Sequence, residues 1–482
     1  MKKMLKKLIP DFILCWYHWM LAFWAAVTYG WPSKKIKVIG VTGTKGKSTI
    51  VVLAGQILEE NGRKVGWISS LTINDGKKEV MNPYHMTMPG RFFIQRTLRQ
   101  IVKNGCEYAL VEVTSEGIKQ HRHRFINWAG AVFTNLAPEH LEAHGGFENY
   151  RQEKEKLFAA AARNKNSFGV YNLDDENAEH FLAFPVKKKI GYFLNPPQPS
   201  FKKEGAVPPL KLRGGEGVKT RGSHAPLRGE LFELKISNIQ LYANGSEFEI
   251  NGVKFKTNLL GEFNVYNCAA AMAVGLACGA DLATAARALG KIKAIPGRLE
   301  MIDEEQDFSV IVDLAHTPDS FEKVFKLFNG LKNIVSSPQM RGGLRWGVEN
   351  RNITSLRLPS PAAQANGGQA SPSSIEDGRK KPKIISVFGS AGGGRDKWKR
   401  PELGRIASEN SDIVIICNED PYDELPEEIC QQIAVGCKKT QPEIILDRRQ
   451  AIARGLSLAQ AGDIVLFLGK GTEQTYVEGK NR

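Results

Sequence analysis

The sequence predicts an α/β protein with two successive, mainly parallel sheets, each covered by helices, and three observations carry that prediction. Apolar runs of strand length alternate with longer runs of helical period from residue 36 to residue 171. A β-rich stretch at 231–260 interrupts the order, and the alternation resumes from residue 309 to residue 467. Apolar strands separated by crossover helices imply parallel pairing with both faces of the sheet buried.

In chain order, the first unit reads as strand 36–41, helix 47–61, strand 64–69, helix 91–104, strands 107–113 and 129–134, helix 150–163 and strand 167–171. Between 231 and 260 apolar residues alternate with polar ones (Leu234, Ile236, Ile239, Leu241, then Phe248, Ile250, Val253, Phe255), which predicts antiparallel strands. An alanine-rich helix, 264–279, follows, and Pro296-Gly297 breaks the chain. The second unit then reads as strand 309–313, helix 318–328, strand 384–388, helix 401–409, strand 412–416, helix 426–435, strand 443–446, helix 448–458 and strand 463–467. That order is Rossmann-like. The domains expected are an aromatic N-terminal helix at 1–34, a central unit at 35–296 with a basic loop at 196–230, and a C-terminal unit at 297–482 with a low-complexity insert at 330–383.

Over 482 residues, 42% hydrophobic and 24% charged content is ordinary for a folded protein and excludes disorder throughout. The net charge of +15 raises the question of nucleic acid. Most of it lies in residues 1–11, 196–230 and 330–383, and the last two are rich in Gly, Pro, Ser and Asn, as solvated loops are. Aromatic residues do not interleave with those charges in a stacking pattern, so nucleic acid is not an expected partner. Seven cysteines without C-x-x-C pairs read as core thiols of a reducing compartment.

From Phe12 to Ser33 there is no Asp, Glu, Lys or Arg, and the segment holds Trp16, Tyr17, Trp19, Phe23, Trp24, Tyr29 and Trp31. Lysines flank both ends. Three placements fit: a helix lying in a membrane interface, which is favoured, a helix packed on protein, and a true span. A secretory signal is not expected, because the segment runs into the first strand without a small-residue cleavage pattern.

Residues 41–49, Val-Thr-Gly-Thr-Lys-Gly-Lys-Ser-Thr, join that first strand to its helix. Gly43 and Gly46 let backbone N–H groups turn toward an anion, the helix directs its positive end at the same point, and Lys47 adds a full charge. Ser48 is placed to ligate Mg²⁺ beside phosphates. The reading is a P-loop in a narrower form than G-x-x-x-x-G-K-[ST].

Several separated stretches agree with one family. They are Gly43 to Thr49; Val111-Glu112-Val113-Thr114-Ser115-Glu116-Gly117 with Gln120-His121-Arg122; Phe133-Thr134-Asn135-Leu136 with Glu139-His140-Leu141; and Tyr150 to Lys154. Others are Gly261-Glu262-Phe263-Asn264 with Asn267, Gly297-Arg298-Leu299-Glu300, Asp313 to Asp319, Gly394-Arg395-Asp396, and Gly469-Lys470-Gly471. In order and spacing they resemble the Mur ligases, and most closely the MurE-type branch, over roughly residues 35–330 and 384–476.

The resemblance implies an ATP-dependent amide ligase of the ADP-forming acid–amino-acid type. In such enzymes a carboxylate becomes an acyl phosphate and an amine then attacks it. It assigns catalytic roles to Lys47, Glu112, His140 and Lys154, with Ser48 and Glu112 on one Mg²⁺, His140 helping to hold a second, and Lys154 carbamylated. It places Gly43, Thr44, Lys45, Gly46, Lys47, Ser48, Thr49, Asn267, Arg298, Asp313 and His316 at ATP, with closure of the two units expected to complete the site. Thr87, Ser115, Gln120 and Arg122 fall at positions contacting a muramyl peptide, and Arg395, Asp420 and Glu473 at the amino-acid side. His121, His123 and His144 are further substrate candidates. By their residues alone, Glu112 also fits a solvated strand tip and Lys154 a solvated helix face.

The substrate expected is a muramyl dipeptide, UDP-N-acetylmuramoyl-L-alanyl-D-glutamate, receiving diaminopimelate or lysine in peptidoglycan precursor synthesis. Two departures bear on it. The usual N-terminal UDP-binding domain is expected to be missing, and Glu419-Asp420-Pro421-Tyr422 stands where diaminopimelate-adding members carry Asp-Asn-Pro-Arg. Two other readings stay open: a Mur-like, polyglutamate-type ligase acting on another carboxylate, and a membrane-attached nucleotide-binding scaffold. A cytoplasmic monomer is expected, with peripheral contact through residues 1–34 at the inner face of the plasma membrane.

Overall fold

An aromatic helix, α1 (Asp11–Thr28), and a short 3₁₀ turn at Pro32–Lys34 precede the first strand, β1 (Lys37–Thr42). The computed structural model describes residues 10–84, 86–138, 145–194, 231–242, 244–335, 381–393, 396–472 and 476–477. The expected basic loop at 196–230 and most of the 330–383 insert lie outside them. The chain divides into two units, one of Met1–Ile239, Phe248–Lys256 and Phe263–Lys291, the other of Gln240–Glu247, Thr257–Glu262 and Ile292–Arg482.

After β1 come α2 (Lys47–Glu60), β2 (Val65–Ile68), a small meander of β3 (Thr72–Asn74) and β4 (Glu79–Met81), and α3 (Arg91–Lys103). Then follow β5 (Tyr108–Glu112), α4 (Ser115–Lys119), β6 (Trp128–Phe133), α5 (Phe147–Ala161), β7 (Phe168–Asn172), α6 (Ala178–Leu182) and β8 (Lys188–Phe193). Strands β9 (Leu231–Tyr242), β10 (Gly245–Ile250) and β11 (Val253–Thr257) lead to α7 (Glu262–Ala277) and α8 (Leu282–Lys291). The sheet runs β11-β10-β9-β8-β7-β6-β1-β5-β2-β3-β4. Pairings from β9 through β2 are parallel, while β3 pairs antiparallel with both β2 and β4. Parallel pairing of β9 with β8 is a finding the alternation at 231–260 did not disclose, since period two marks a half-buried strand whatever its partner's direction.

Residues Val38 and Ile39 and nearly all of β1 are buried, as a strand between β5 and β6 must be. Its Gly40 is required by close packing. A Cβ there would lie 2.8 Å from Leu157 Cδ1 on α5 and 2.9 Å from Trp128 Cζ3 on β6. On the other side, α2 is buried from Ser48 to Leu58 except at Gln56, and Trp67 of β2 closes over Gly55. The alanine run of α7 brings Gly275 against Ile57 of α2, so small residues let these two helices approach closely. One face of α1 packs on α3, with Ala22, Ala25 and Ala26 buried.

The second unit holds β12 (Glu300–Ile302), β13 (Ser309–Asp313), α9 (Pro318–Val335), β14 (Ile384–Phe388), α10 (Lys399–Asn410) and β15 (Ile413–Ile416). It ends with α11 (Pro426–Ala434), β16 (Glu443–Ile444), α12 (Arg448–Leu458) and β17 (Ile464–Leu468). The sheet order is β12-β13-β17-β14-β15-β16, parallel throughout except for β12. A buried cation anchors one face: Arg400 of α10 is fully enclosed and donates to Glu424, at 3.0 and 3.2 Å, and to Gln432 at 2.7 Å. Pairing with Glu424 and hydrogen bonds through Nη1 and Nη2 offset the cost of burying this guanidinium, whose Nε has no hydrogen-bond partner.

Gly40→Ala should lower the stability of the first unit by about 1–3 kcal/mol, the usual cost of forcing a methyl into a filled core. Chemical unfolding measures it. An unchanged midpoint would show a gap between β1, Leu157 and Trp128 that the contacts exclude.

Candidate active site

The glycine-rich turn sits at the C-terminal end of β1, where parallel strands of α/β sheets present their loops. Two glycines shape it, Gly43 with φ +145° and Gly46 with φ +84°, the latter capping α2. Neither tolerates a side chain: a Cβ on Gly43 would lie 1.9 Å from Thr134 Oγ1, and one on Gly46 2.4 Å from Asn267 Oδ1. The loop after β6 holds the turn from the side. The Asn135 carbonyl accepts from Thr44 N at 2.8 Å, its side-chain oxygen accepts from Lys45 N at 2.9 Å, and Thr134 Oγ1 donates to the Lys45 carbonyl at 2.7 Å.

Two cations face this turn. Lys47 Nζ donates to the Thr44 carbonyl at 2.7 Å, and Lys154 Nζ, from α5, donates to the Gly43 carbonyl at 2.7 Å. Lys154 is 2% exposed, so the solvated-face alternative is excluded. Its Nζ also lies 4.5 Å from the centre of the Tyr150 ring, whose hydroxyl is 3.1 Å from Thr44 Oγ1.

Glu112, the last residue of β5, is buried beside the start of α2. Its Oε2 accepts from Ser48 Oγ at 2.8 Å, from Ser70 N at 2.8 Å and from Ser70 Oγ at 3.0 Å. The strand-tip alternative is excluded as well. Ser48 and Glu112 form a pair of hard oxygen donors next to Lys47, a set that suits Mg²⁺, which commonly takes one or two protein carboxylates together with phosphate and water. Among the described residues no three His, Cys, Asp or Glu side chains cluster as a metal cage.

Asn267, on α7, completes this group. Its Nδ2 donates to Asn264 Oδ1 at 2.9 Å while its Oδ1 faces Gly46. Thr49 is buried in the first turn of α2. Nearby, Arg122 donates to Gln120 Oε1 at 2.7 Å and to the Met88 carbonyl, which ties the half-buried Thr87 segment to the Gln120–Arg122 turn. Ser115 is buried at the start of α4. The structure therefore brings together Gly43 to Thr49, Glu112, Lys154 and Asn267, and separately Thr87, Gln120 and Arg122.

Other candidates fare differently. His140, His144, Arg395 and Glu473 lie outside the described residues. His123 is buried, and burial first and Arg124 next push it down to about 3. His121, down to about 4 by the same causes, has Nε2 3.1 Å from Cys15 Sγ of α1. Both histidines are neutral at pH 7 and packed. Sequence reasoning missed Ser70 and Asn135 as supports of the site; Ser70 follows β2 with no periodic signal, whereas Asn135 stood inside a quoted motif.

In the second unit, Asp313 ends β13 and accepts from Leu299 N at 2.8 Å and Ala315 N at 2.7 Å, so it holds the Arg298 turn against the His316 loop. His316 Nδ1 lies 2.8 Å from the Leu314 carbonyl. Elsewhere, Asp420 Oδ1 accepts from Lys470 Nζ at 2.7 Å and from Val477 N at 3.0 Å. Its neighbour Glu419 is buried, with Oε2 lacking a hydrogen-bond partner, and burial pushes its carboxyl up to about 7 against the pull of Arg448, Lys399 and Lys470.

The glycine-rich turn with its two lysines and buried carboxylate defines a class, α/β enzymes that handle an anionic, metal-bound group at a strand end. Comparison with known proteins narrows it. The Mur ligase middle domain pattern matches residues 41–198, and the Mur ligase glutamate ligase domain pattern matches residues 362–471. The UDP-N-acetylmuramyl-tripeptide synthetase of Borreliella afzelii is 35% identical over 95% of this chain and 76% of its own length. The UDP-N-acetylmuramoyl-L-alanyl-D-glutamate--2,6-diaminopimelate ligase of Syntrophomonas wolfei is 32% identical over 94% and 77%. A solved diaminopimelate ligase superposes with a TM-score of 0.51 at 24% identity over 92% of this chain and 74% of that one, which shows the shared fold. This chain belongs to the Mur ligase family. Within it, the chain is an ATP-dependent acid–amino-acid ligase of the MurE-like branch.

A pH dependence follows from Glu419. Its folded value, about 7, lies above the ordinary 4.5, so folding takes up a proton; the stabilisation is full below pH 4.5 and is lost as pH rises through about 7. Glu419→Gln should flatten this slope by up to about 3 kcal/mol. Thermal unfolding of both proteins across that range measures it, and parallel curves would contradict the assignment.

Proposed function

We propose that this chain uses ATP to activate the free carboxylate of UDP-N-acetylmuramoyl-L-alanyl-D-glutamate and joins it to an amine of diaminopimelate or lysine, in peptidoglycan precursor synthesis. The observation that carries the reading is the Ser48–Glu112 pair at 2.8 Å beside the Lys47 turn, in a chain of this family. The γ-phosphoryl group passes from ATP to the carboxylate, giving ADP and an acyl phosphate. The amine then attacks the acyl carbon, loses a proton, and expels inorganic phosphate.

The glycine-rich turn acts as a P-loop in this reading. Backbone N–H groups from Gly46 to Ser48, at the start of α2, receive the phosphates, and Lys47 exchanges its bond to the Thr44 carbonyl for phosphate oxygen. Ser48 and Glu112 would hold Mg²⁺, which supplies charge neutralisation between the phosphates. His140 and Lys154 are assigned to a second Mg²⁺, with Lys154 carbamylated. The carbamate rests on the family resemblance, and the one N–H it leaves on Nζ keeps the bond to the Gly43 carbonyl. Asn267 lies at Gly46 to meet the nucleotide, with Arg298, Asp313 and His316 assigned to it from the second unit.

On the acceptor side, Thr87, Ser115, Gln120 and Arg122 are assigned to the muramyl peptide, and Arg395, Asp420 and Glu473 to the incoming amino acid. Asp420 is engaged by Lys470, and Tyr422 stands in place of a carboxylate-clamping arginine. A phenol cannot reproduce a bidentate guanidinium, which favours lysine over diaminopimelate. Dependence on ATP and a UDP-linked precursor places the enzyme in the cytoplasm.

Phosphate release should require ATP, the muramyl dipeptide and one of the two amino acids. Lys47→Ala and Glu112→Gln should each lower kcat by at least about 100-fold, the scale of losing a charge-stabilising group. Turnover with another carboxylate in place of the muramyl dipeptide, or unchanged turnover in Lys47→Ala, would overturn the reading. For Lys154, intact mass spectrometry under bicarbonate should show one added CO₂ that Lys154→Arg lacks, and no such mass at any bicarbonate level would remove the carbamate.

A further inference from the structure

Helix α1 presents one face to α3 and leaves the other uncovered. At 100° per residue, Phe12, Ile13, Trp16, Tyr17, Trp24 and Val27 fall on one arc of about 140°. All six are exposed, Phe12 by 73%, Trp16 by 59% and Trp24 by 53%. The opposite side is occupied, with Ala22, Ala25 and Ala26 buried and His18 Nδ1 2.9 Å from Arg91 Nη2, while at one edge of the arc Trp19 and Phe23 meet Phe125 at 5.2 and 5.6 Å between ring centres. A continuous exposed apolar stripe of this kind needs an occupant.

Charge and side-chain type together select that occupant. Lys34 and Lys35 are exposed just past the C-terminal end of α1, with Lys34 Nζ 4.9 Å from the centre of the Trp31 ring, and Arg99 of α3 approaches Gly30. Four lysines, Lys2, Lys3, Lys6 and Lys7, precede the helix in sequence, and α3 contains no acidic residue. The stripe itself carries no charge. Indole and phenol rings combine an apolar body with a polar edge and favour the boundary between lipid tails and headgroups, where neighbouring lysines meet anionic headgroups. A protein partner would need acidic residues at both ends of an apolar groove, whereas an anionic bilayer supplies both features along the whole helix.

Spanning is excluded for this helix. No helix among the described residues is long and apolar enough to cross a membrane, and one face of α1 is already committed to protein.

We propose that the exposed face of α1 is a docking surface for an anionic phospholipid bilayer, on which the helix lies flat with Trp16 and Trp24 at the interface and Lys34 and Lys35 on the headgroups. Docking is separate from ligase chemistry, so its test reads binding alone. The full chain is sedimented with vesicles of phosphatidylcholine and of phosphatidylcholine with phosphatidylglycerol. Binding should favour the anionic vesicles at least tenfold, weaken with salt, and blue-shift tryptophan emission. Trp16→Glu with Trp24→Glu should lower it at least tenfold, and Lys34→Gln with Lys35→Gln should remove the preference for phosphatidylglycerol, with unfolding temperatures unchanged because all four side chains are exposed.

Three outcomes overturn the proposal: no sedimentation with anionic vesicles, undiminished binding by both double variants, or a dimer in solution that Trp16→Glu with Trp24→Glu dissociates while vesicles capture nothing. The last would give the face to a second copy of the chain.

Discussion

One buried carboxylate oxygen organises the first unit. Glu112 Oε2 takes three donors, from Ser48 and Ser70, and so ties the end of β5 to the start of α2 and to the loop after β2. A carboxylate enclosed at 3% exposure is destabilising unless donors surround it, so none of these segments can shift without a cost of several kcal/mol. The same demand that fixes the fold here leaves a hydroxyl and a carboxylate side by side at the mouth of the turn. Structure and chemistry draw on one arrangement.

The positive groups obey a similar economy. Lys47 and Lys154 both donate to carbonyls of the turn, at Thr44 and Gly43, and Asn135 takes the N–H groups of Thr44 and Lys45, which together hold the loop in shape. Tyr150 braces Thr44 from the same helix that carries Lys154. The two glycines are there because Thr134 and Asn267 come too close for any side chain. A phosphate entering this turn meets N–H groups already oriented, so little reorganisation accompanies binding.

Much of the fold was legible because period and punctuation agree. Strands 309–313 and 384–388 and helix 448–458 end where the apolar pattern ends, and the glycine-rich turn lies where an apolar strand passes into an apolar helix. The pattern was silent where structure depends on distant partners. The β3–β4 meander is three residues per strand, too short to show a period, and β9 joins β8 through backbone pairing that side-chain alternation does not encode. Glu112 and Lys154 were picked out by resemblance, but each alone also fitted a solvated surface; burial and hydrogen bonding decide between the two. For α1 the sequence offered three placements, and packing of its alanine face on α3 removes the span. For His121 and His123 the sequence offered a substrate role, and the structure adds that burial and Arg124 hold both imidazoles neutral.

The account stands on Ser48 and Glu112 holding a divalent ion at the phosphate turn, and manganese bound with a non-hydrolysable ATP analogue, followed by electron paramagnetic resonance, tests that directly. Wild-type protein should take up manganese tightly only with the nucleotide present, and Glu112→Gln, of the same shape, should lose at least tenfold in manganese affinity while still binding the analogue. Equal manganese binding by the two proteins would contradict it.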